Sequence, residues 1–291
     1  MVRPKSFYKF CTARVAKLNL KTQRLRFSSP LYFNDPFDCY FPPGISNLKN
    51  AVLVLQKRFD GILAGKEQLP DHSLAAFTLA PIIGLADTVP PEVAEHARMS
   101  HKANIVAVAS NYNQQLELDW ENKLRRFRLL SLCAERNNPL LWSHYADSHR
   151  GVAFEFDASC TKNTSFQIAK PVKYQKRAPR IISRKVFIES VIGLADQPDV
   201  GTYPLILTKS VEWSYEKEWR IVLMTEEGEK SLYSDLMFFP GSLRKIFLGC
   251  RNSIRDQRAI ERLATGDFAH VEIHRARQSR SNFGLKFDRI R

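Results

Sequence analysis

LLSLCAERNNPLLWSHYADSHRGVAFEFD, residues 129–157, decides the fold class. Its ends, Leu129–Ala134 and Gly151–Asp157, read as short strands, and between them Trp142 and Tyr145 share the i, i+3 spacing of one helical face. The same short β-rich texture recurs at Phe166–Tyr174, Trp219–Thr225, Lys245–Gly249, His270–His274 and Leu285–Ile290, and near the N-terminus at Phe7–Phe10 and Arg24–Ser29. Short helices fit Ala13–Leu20 and Ile254–Ala264. Strands do not alternate with long helices and no repeat is present, so the reading is an α+β fold with a mixed, mostly antiparallel sheet core rather than a doubly wound one. Residues 48–65 and roughly 92–127 carry apolar residues at helical spacing, which predicts a helical insertion or lid over 48–127 within one domain spanning 1–291.

Composition narrows the function classes. The chain has 44 Lys and Arg against 30 Asp and Glu, a net charge of +14. Residues 161–190 hold eight basic residues (Lys173, Lys176, Arg177, Arg180, Arg184 and Lys185 among them) against one acid, and residues 244–291, with Arg275, Arg277 and Arg280, hold twelve against five. Localised positive charge suits a polyanion, so nucleic acid is an expected partner, with a solvated basic face as the alternative. No apolar run long enough to span a membrane and no signal-peptide pattern is present, and the five cysteines are scattered without a CxxC pair; a reducing cytoplasm is the expected location. P-loop, GxGxxG, HExxH and protein-kinase signatures are all missing.

Three constellations carry chemistry. In Phe33-Asn34-Asp35-Pro36-Phe37-Asp38, Asn, Asp and Pro build either a rigid corner or the rim of a cleft from which Asn34, Asp35 and Asp38 would orient a polar ligand. Trp142, His144 and Tyr145 supply stacking surface, a group titrating near neutrality and a hydroxyl, the parts of a nucleotide pocket, although simple packing accounts for them too. Trp213-Ser214-Tyr215-Glu216-Lys217-Glu218-Trp219-Arg220 runs into an apolar strand and sets two carboxylates two residues apart at its mouth, beside Arg220.

Tyr8-Lys9-Phe10, Phe27 to Asp38, Asn138 to Asp157 and Trp213 to Arg220 resemble, in order, the motifs of the bacterial domain-of-unknown-function 2971 family. A weaker resemblance is to ADP-ribosyltransferases, which bind NAD in a split mixed sheet. That resemblance implies Tyr8 and Lys9 on the first strand, with Lys9 at a phosphate or ribose edge, and Ser28 or Ser29 supporting the nicotinamide-side sugar. It implies Glu218 as the carboxylate stabilising an oxocarbenium-like transition state and Glu216 as the residue orienting the acceptor. The first-strand pair Tyr8-Lys9 stands where that family has His or Arg.

The function expected first is therefore cleavage of the nicotinamide glycosidic bond of NAD, without a metal, onto nucleic acid or protein, in phage defence or as a toxin with a partner or antitoxin. The alternative is a non-catalytic nucleotide- or nucleic-acid-binding module. A metal-dependent nuclease using Asp35, Asp38, Glu155, Asp157 and Glu218 comes third.

Overall fold

Side chains along Ser6–Cys11 (β1) alternate between two cores: Phe7 and Cys11 join one, Tyr8 and Phe10 the other. A strand buried on both faces lies inside a sheet. In the computed structural model, which describes residues 2–40, 47–64, 66, 89–160, 164–179, 182–191 and 202–291, β1 has antiparallel neighbours on each side. On one side lies Val152–Asp157 (β4), with Tyr8 opposite Glu155, and the sheet continues through Leu243–Leu248 (β10), Glu272–Gln278 (β11) and Leu285–Arg289 (β12). The β10–β11 pair is parallel; the other described pairs of this sheet are antiparallel.

On the other side lies Phe127–Cys133 (β3), and there the sheet forks. One edge of β3 pairs along its length with Glu218–Met224 (β8), ending with Cys133 opposite Glu218. Its other edge is shared: Cys133 faces Tyr8 of β1, while Leu129 faces Ser28 of Arg24–Ser28 (β2), which carries on to the edge strand Tyr233–Met237 (β9). Between those two pairings β1 and β2 diverge. Lys9 spans the opening, its Nζ donating to the Ser131 carbonyl at 3.1 Å.

Helices Ala13–Thr22 (α1) and Ile254–Leu263 (α8) supply Ala16, Leu20 and Ile260 to the core containing Phe7, Phe154, Phe156 and Ile246. Each starts at a hydroxyl cap, Thr12 accepting from Val15 N and Ser253 from Asp256 N. In the second core Pro139–Tyr145 (α4) packs Leu141 and Trp142 against Tyr8, Phe10, Ala153 and Phe247. After α4 come three consecutive left-handed residues, Asp147, Ser148 and His149, with φ of 47°, 49° and 67°. Each costs about 1–2 kcal/mol. Bonds from Ser148 N to Ser143 O, His149 N to Trp142 O and Gly151 N to Ala146 O hold the turn, which seats the end of the helix.

The chain forms two compact units, Met1–Cys39 with Leu124–Arg177 and Leu207–Arg291, and Tyr40–Lys123 with Ala178–Ile206. The first contains the sheet described above. The second contains Leu48–Leu63 (α2), Arg184–Val191 (α6), Thr202–Ile206 (α7) and most of Pro91–Arg126 (α3). Ala51, Leu55, Phe59 and Ile62 of α2 are buried at helical spacing, as are Phe187 and Ile188 of α6.

One local reading is corrected. Phe166–Tyr174 is no continuous strand: Thr164–Gln167 (α5) is a short helix, Lys170–Pro171 (β5) pairs with β8, and Lys173–Gln175 (β6) pairs in parallel with Thr208–Ser210 (β7) in a second small sheet. Pro171 has no N–H to extend a ladder, and the chain crosses between sheets at Val172, whose N–H goes to Glu218 O while that of Lys173 goes to Leu207 O. Of the basic stretch 161–190, Lys173, Lys176 and Arg177 belong to the first unit and Arg184 and Lys185 to α6 of the second.

Candidate functional site

The fork in the sheet is the floor of a cavity of about 330 Å³. Strand alternation turns Tyr8 and Phe10 of β1, Ser28 of β2, Leu129, Ser131 and Cys133 of β3 and Glu218 of β8 towards it. Tyr32, Phe33 and Asn34, from the loop after β2, and His144 and Tyr145, from α4, complete the wall. Volume and aromatic lining suit a nucleoside-sized ligand.

Below the aromatic walls lies a buried ionic cluster. Asp38, Lys209, Glu216 and Glu218 are all nearly inaccessible and Arg220 is 0% exposed. Arg220 is a double fork: Nη1 and Nη2 donate to Asp38 at 3.0 and 2.5 Å, while Nε and Nη2 donate to Glu218 at 2.7 and 3.0 Å. Lys209 Nζ sits among three carboxylates, 2.7 Å from Glu216, 3.4 Å from Glu218 and 3.4 Å from Asp38, and 4.7 Å from the Trp213 ring centre. The Tyr145 hydroxyl donates to Glu216 Oε1 at 2.5 Å. The Tyr174 hydroxyl accepts from Glu218 N at 2.8 Å.

This geometry sets the two glutamates apart. Burial opposes ionisation of Glu218, but Arg220 and Lys209 outweigh it and hold the carboxyl down at about 2. Glu216 shares only Lys209, so burial, reinforced by the charge of Glu218, raises it. The Lys209 ammonium, penalised by burial, is nevertheless pushed up by Glu218, Asp38 and Glu216. The two carboxyls are thus pushed in opposite directions, Glu218 below the ordinary glutamate range and Glu216 above it. Burial also pushes up the Tyr145 hydroxyl and the Cys133 thiol, which stay protonated, and lowers Lys9.

Of the residues singled out from sequence, Tyr8, Lys9, Ser28, Asn34, Asp38, His144, Tyr145, Glu216 and Glu218 line this cavity. Others serve the fold. Ser29 is buried, donates to Leu124 O and caps the turn Pro30–Tyr32; Asp35 accepts from Phe37 N in a local turn. Trp142 is fully buried, edge-on to Phe10 at 5.3 Å with Nε1 on Arg136 O, and Arg220 spends its donors on Asp38 and Glu218. Of the nuclease acids only Asp38 and Glu218 come together, on Arg220 and Lys209: Asp35 closes its local turn, Glu155 accepts from Ser6, Asp157 pairs with Arg244, and among the described residues no three His, Cys, Asp or Glu side chains are grouped to hold a metal.

Lys173, Lys176 and Arg177 are exposed, Arg184 bonds Asn50, and Lys185 reaches Glu189 at 3.6 Å. Arg275 is tied to Gln257 and Asn252 O, Arg277 pairs with Asp288 at 2.6 Å, Arg280 is exposed, and Arg180 lies outside the described residues. Sequence reasoning missed Lys209, Ser131, Tyr174 and Tyr32. The signal for Lys209 was the charge alternation Glu216, Glu218, Arg220, which leaves three acids with Asp38 and too few cations without a second base.

No curated protein and no solved structure matches the chain. Residues 141–221, which run from α4 into β8 and include His144, Tyr145, Lys209, Glu216, Glu218 and Arg220, match the model of the family described as protein of unknown function (DUF2971).

Proposed function

We propose that the cavity binds NAD or a closely related N-ribosyl nucleotide and cleaves its glycosidic bond, transferring the ADP-ribosyl group to an acceptor or to water. The observation that carries the reading is the pair of buried carboxylates beneath aromatic walls, Glu218 fixed on Arg220 and Glu216 held by Lys209 and the Tyr145 hydroxyl. In this reaction the C1′–N bond breaks, its electron pair returns to the nicotinamide ring nitrogen, and an acceptor oxygen bonds to C1′. The acceptor's proton passes to the Glu216 carboxylate, which titrates closer to neutrality than an ordinary glutamate. Glu218, with both oxygens on Arg220, is the fixed anion that positions Lys209 and, through it, Glu216. Glu216 thus keeps the acceptor side that resemblance implies, whereas Glu218 becomes a positioning residue. Tyr32, Phe33 and Tyr145 supply the stacking surface for the base.

The test is incubation with NAD labelled separately in its nicotinamide and adenylate halves, with RNA, DNA and cell protein offered as acceptors. Nicotinamide release should fall at least a hundredfold in Glu216→Gln, with NAD affinity retained. Release unchanged in that variant, or wild-type protein that neither binds nor turns over NAD, would overturn the proposal. The double engagement of Glu218 by Arg220 favours one second reading, a pocket that binds a nucleotide without reacting. Its signature is equal nucleotide affinity in wild type and Glu216→Gln with no nicotinamide released by either.

A further inference from the structure

Residues 1–34 contain eight Lys and Arg and no Asp or Glu, a concentration that disappears when charge is summed over longer segments. Folding gathers five of these cations, Arg14, Lys17 and Lys21 of α1 and Arg24 and Arg26 of β2, along one groove of about 860 Å³ whose single acidic lining residue is Asp235. Seven residues of helix put Arg14 and Lys21 on one face about 10 Å apart. Some of this charge is already used: Lys17 pairs with Asp256 at 2.7 Å and Arg26 with Asp235 at 2.9 Å. Arg24 gives one donor to a neutral carbonyl, that of Asp235. Arg14 and Lys21 are exposed, and no side-chain partner engages either among the described residues.

We propose that this groove binds a single-stranded nucleic acid by its phosphodiester backbone. Free cations spaced along a concave surface attract a chain of regularly spaced anions, and binding releases its counterions. The groove's connection argues for nucleic acid over an acidic peptide. Arg26 lines both the groove and the cavity at the fork, so a strand lying on α1 and β2 has Tyr32, Phe33 and Tyr145 within reach for a stacked base. Val15 and Leu18, exposed on the groove wall, face the sugar edges. The proposal concerns binding alone and stands or falls independently of the glycosidic reaction.

Fluorescence anisotropy tests it, using labelled oligo-dT and oligo-U of about twelve nucleotides, without NAD, over a series of salt concentrations. Arg14→Ala with Lys21→Ala should weaken binding about tenfold and reduce the slope of log K against log salt by about 1.4, two contacts at about 0.7 each. Arg14→Lys with Lys21→Arg should retain both affinity and slope. Arg277→Ala with Arg280→Ala, on the β11–β12 hairpin, should bind like wild type. Wild-type affinity in the double alanine variant, loss confined to the hairpin variant, or equally tight binding of a polyglutamate of the same charge would overturn the proposal.

Discussion

Lys209 is the single side chain on which the site depends most. Its ammonium stands within 3.4 Å of Asp38, Glu216 and Glu218, and removing one partner of a buried ionic group leaves the others uncompensated. Lys209→Met is expected to destabilise the fold by about 3–5 kcal/mol, read from urea unfolding; a loss below about 1 kcal/mol would mean that the cluster is hydrated. The two glutamates give stability opposite pH dependences. Glu218, lowered from 4.5 to about 2, contributes stability that is complete above its unfolded value and lost as pH falls from 4.5 towards 2. Glu216, raised above 4.5, contributes stability that is complete below 4.5 and lost as pH rises through its folded value. Wild type should therefore lose stability relative to Glu216→Gln on going from pH 4 to pH 8, and parallel curves would contradict the assignment. Glu216, Glu218, His144 and Tyr145 were legible in the sequence because reactive side chains crowd together there. Lys209 was not, because it lies on a three-residue strand and gains its meaning from Asp38, far away in the chain.

Helix α4 and its left-handed exit are the element that positions the cavity wall. Gly151 is required there, since a Cβ would stand 2.2 Å from the Cys11 carbonyl oxygen. Gly151→Ala should cost about 3 kcal/mol by thermal or urea unfolding. Ser148, exposed at φ 49°, has the opposite expectation: Ser148→Gly relieves left-handed strain and should stabilise by roughly 1 kcal/mol. A destabilised Ser148→Gly would show that the hydroxyl matters more than the backbone. Strands β1, β4, β10 and β12, each a short run rich in apolar and β-branched or aromatic residues, were legible to within two or three residues. The edge strand β9 was not, because a strand paired on one side carries only weak burial alternation, with Leu236 and Met237 both exposed. The break at Pro171 was visible as a proline, but its consequence depends on which sheet takes the next residue.

At the scale of the whole molecule, the α+β class and the mostly antiparallel sheet follow from many short strands that do not alternate with long helices, α2 and α3 both falling between β2 and β3. The fork at Ser131 does not follow from periodicity, because it depends on two strands competing for one edge of β3. Charge was legible only in part: counting along the sequence pointed to residues 161–190 and 244–291, in the second of which Arg275 and Arg277 are engaged internally, and passed over α1 and β2, whose five cations line one groove. Fold and site are joined at the fork, where the divergence of β1 and β2 opens the cavity and the register of β3 with β8 sets Glu218 in its floor. The most direct test of the account is a carboxyl-carbon NMR titration of protein labelled with ¹³C at glutamate, comparing wild type with Glu216→Gln and Glu218→Gln. The account predicts one resonance, lost in Glu216→Gln, titrating above the ordinary glutamate value, and another, lost in Glu218→Gln, still ionised down towards pH 2. Two resonances titrating together near 4.5 would contradict it.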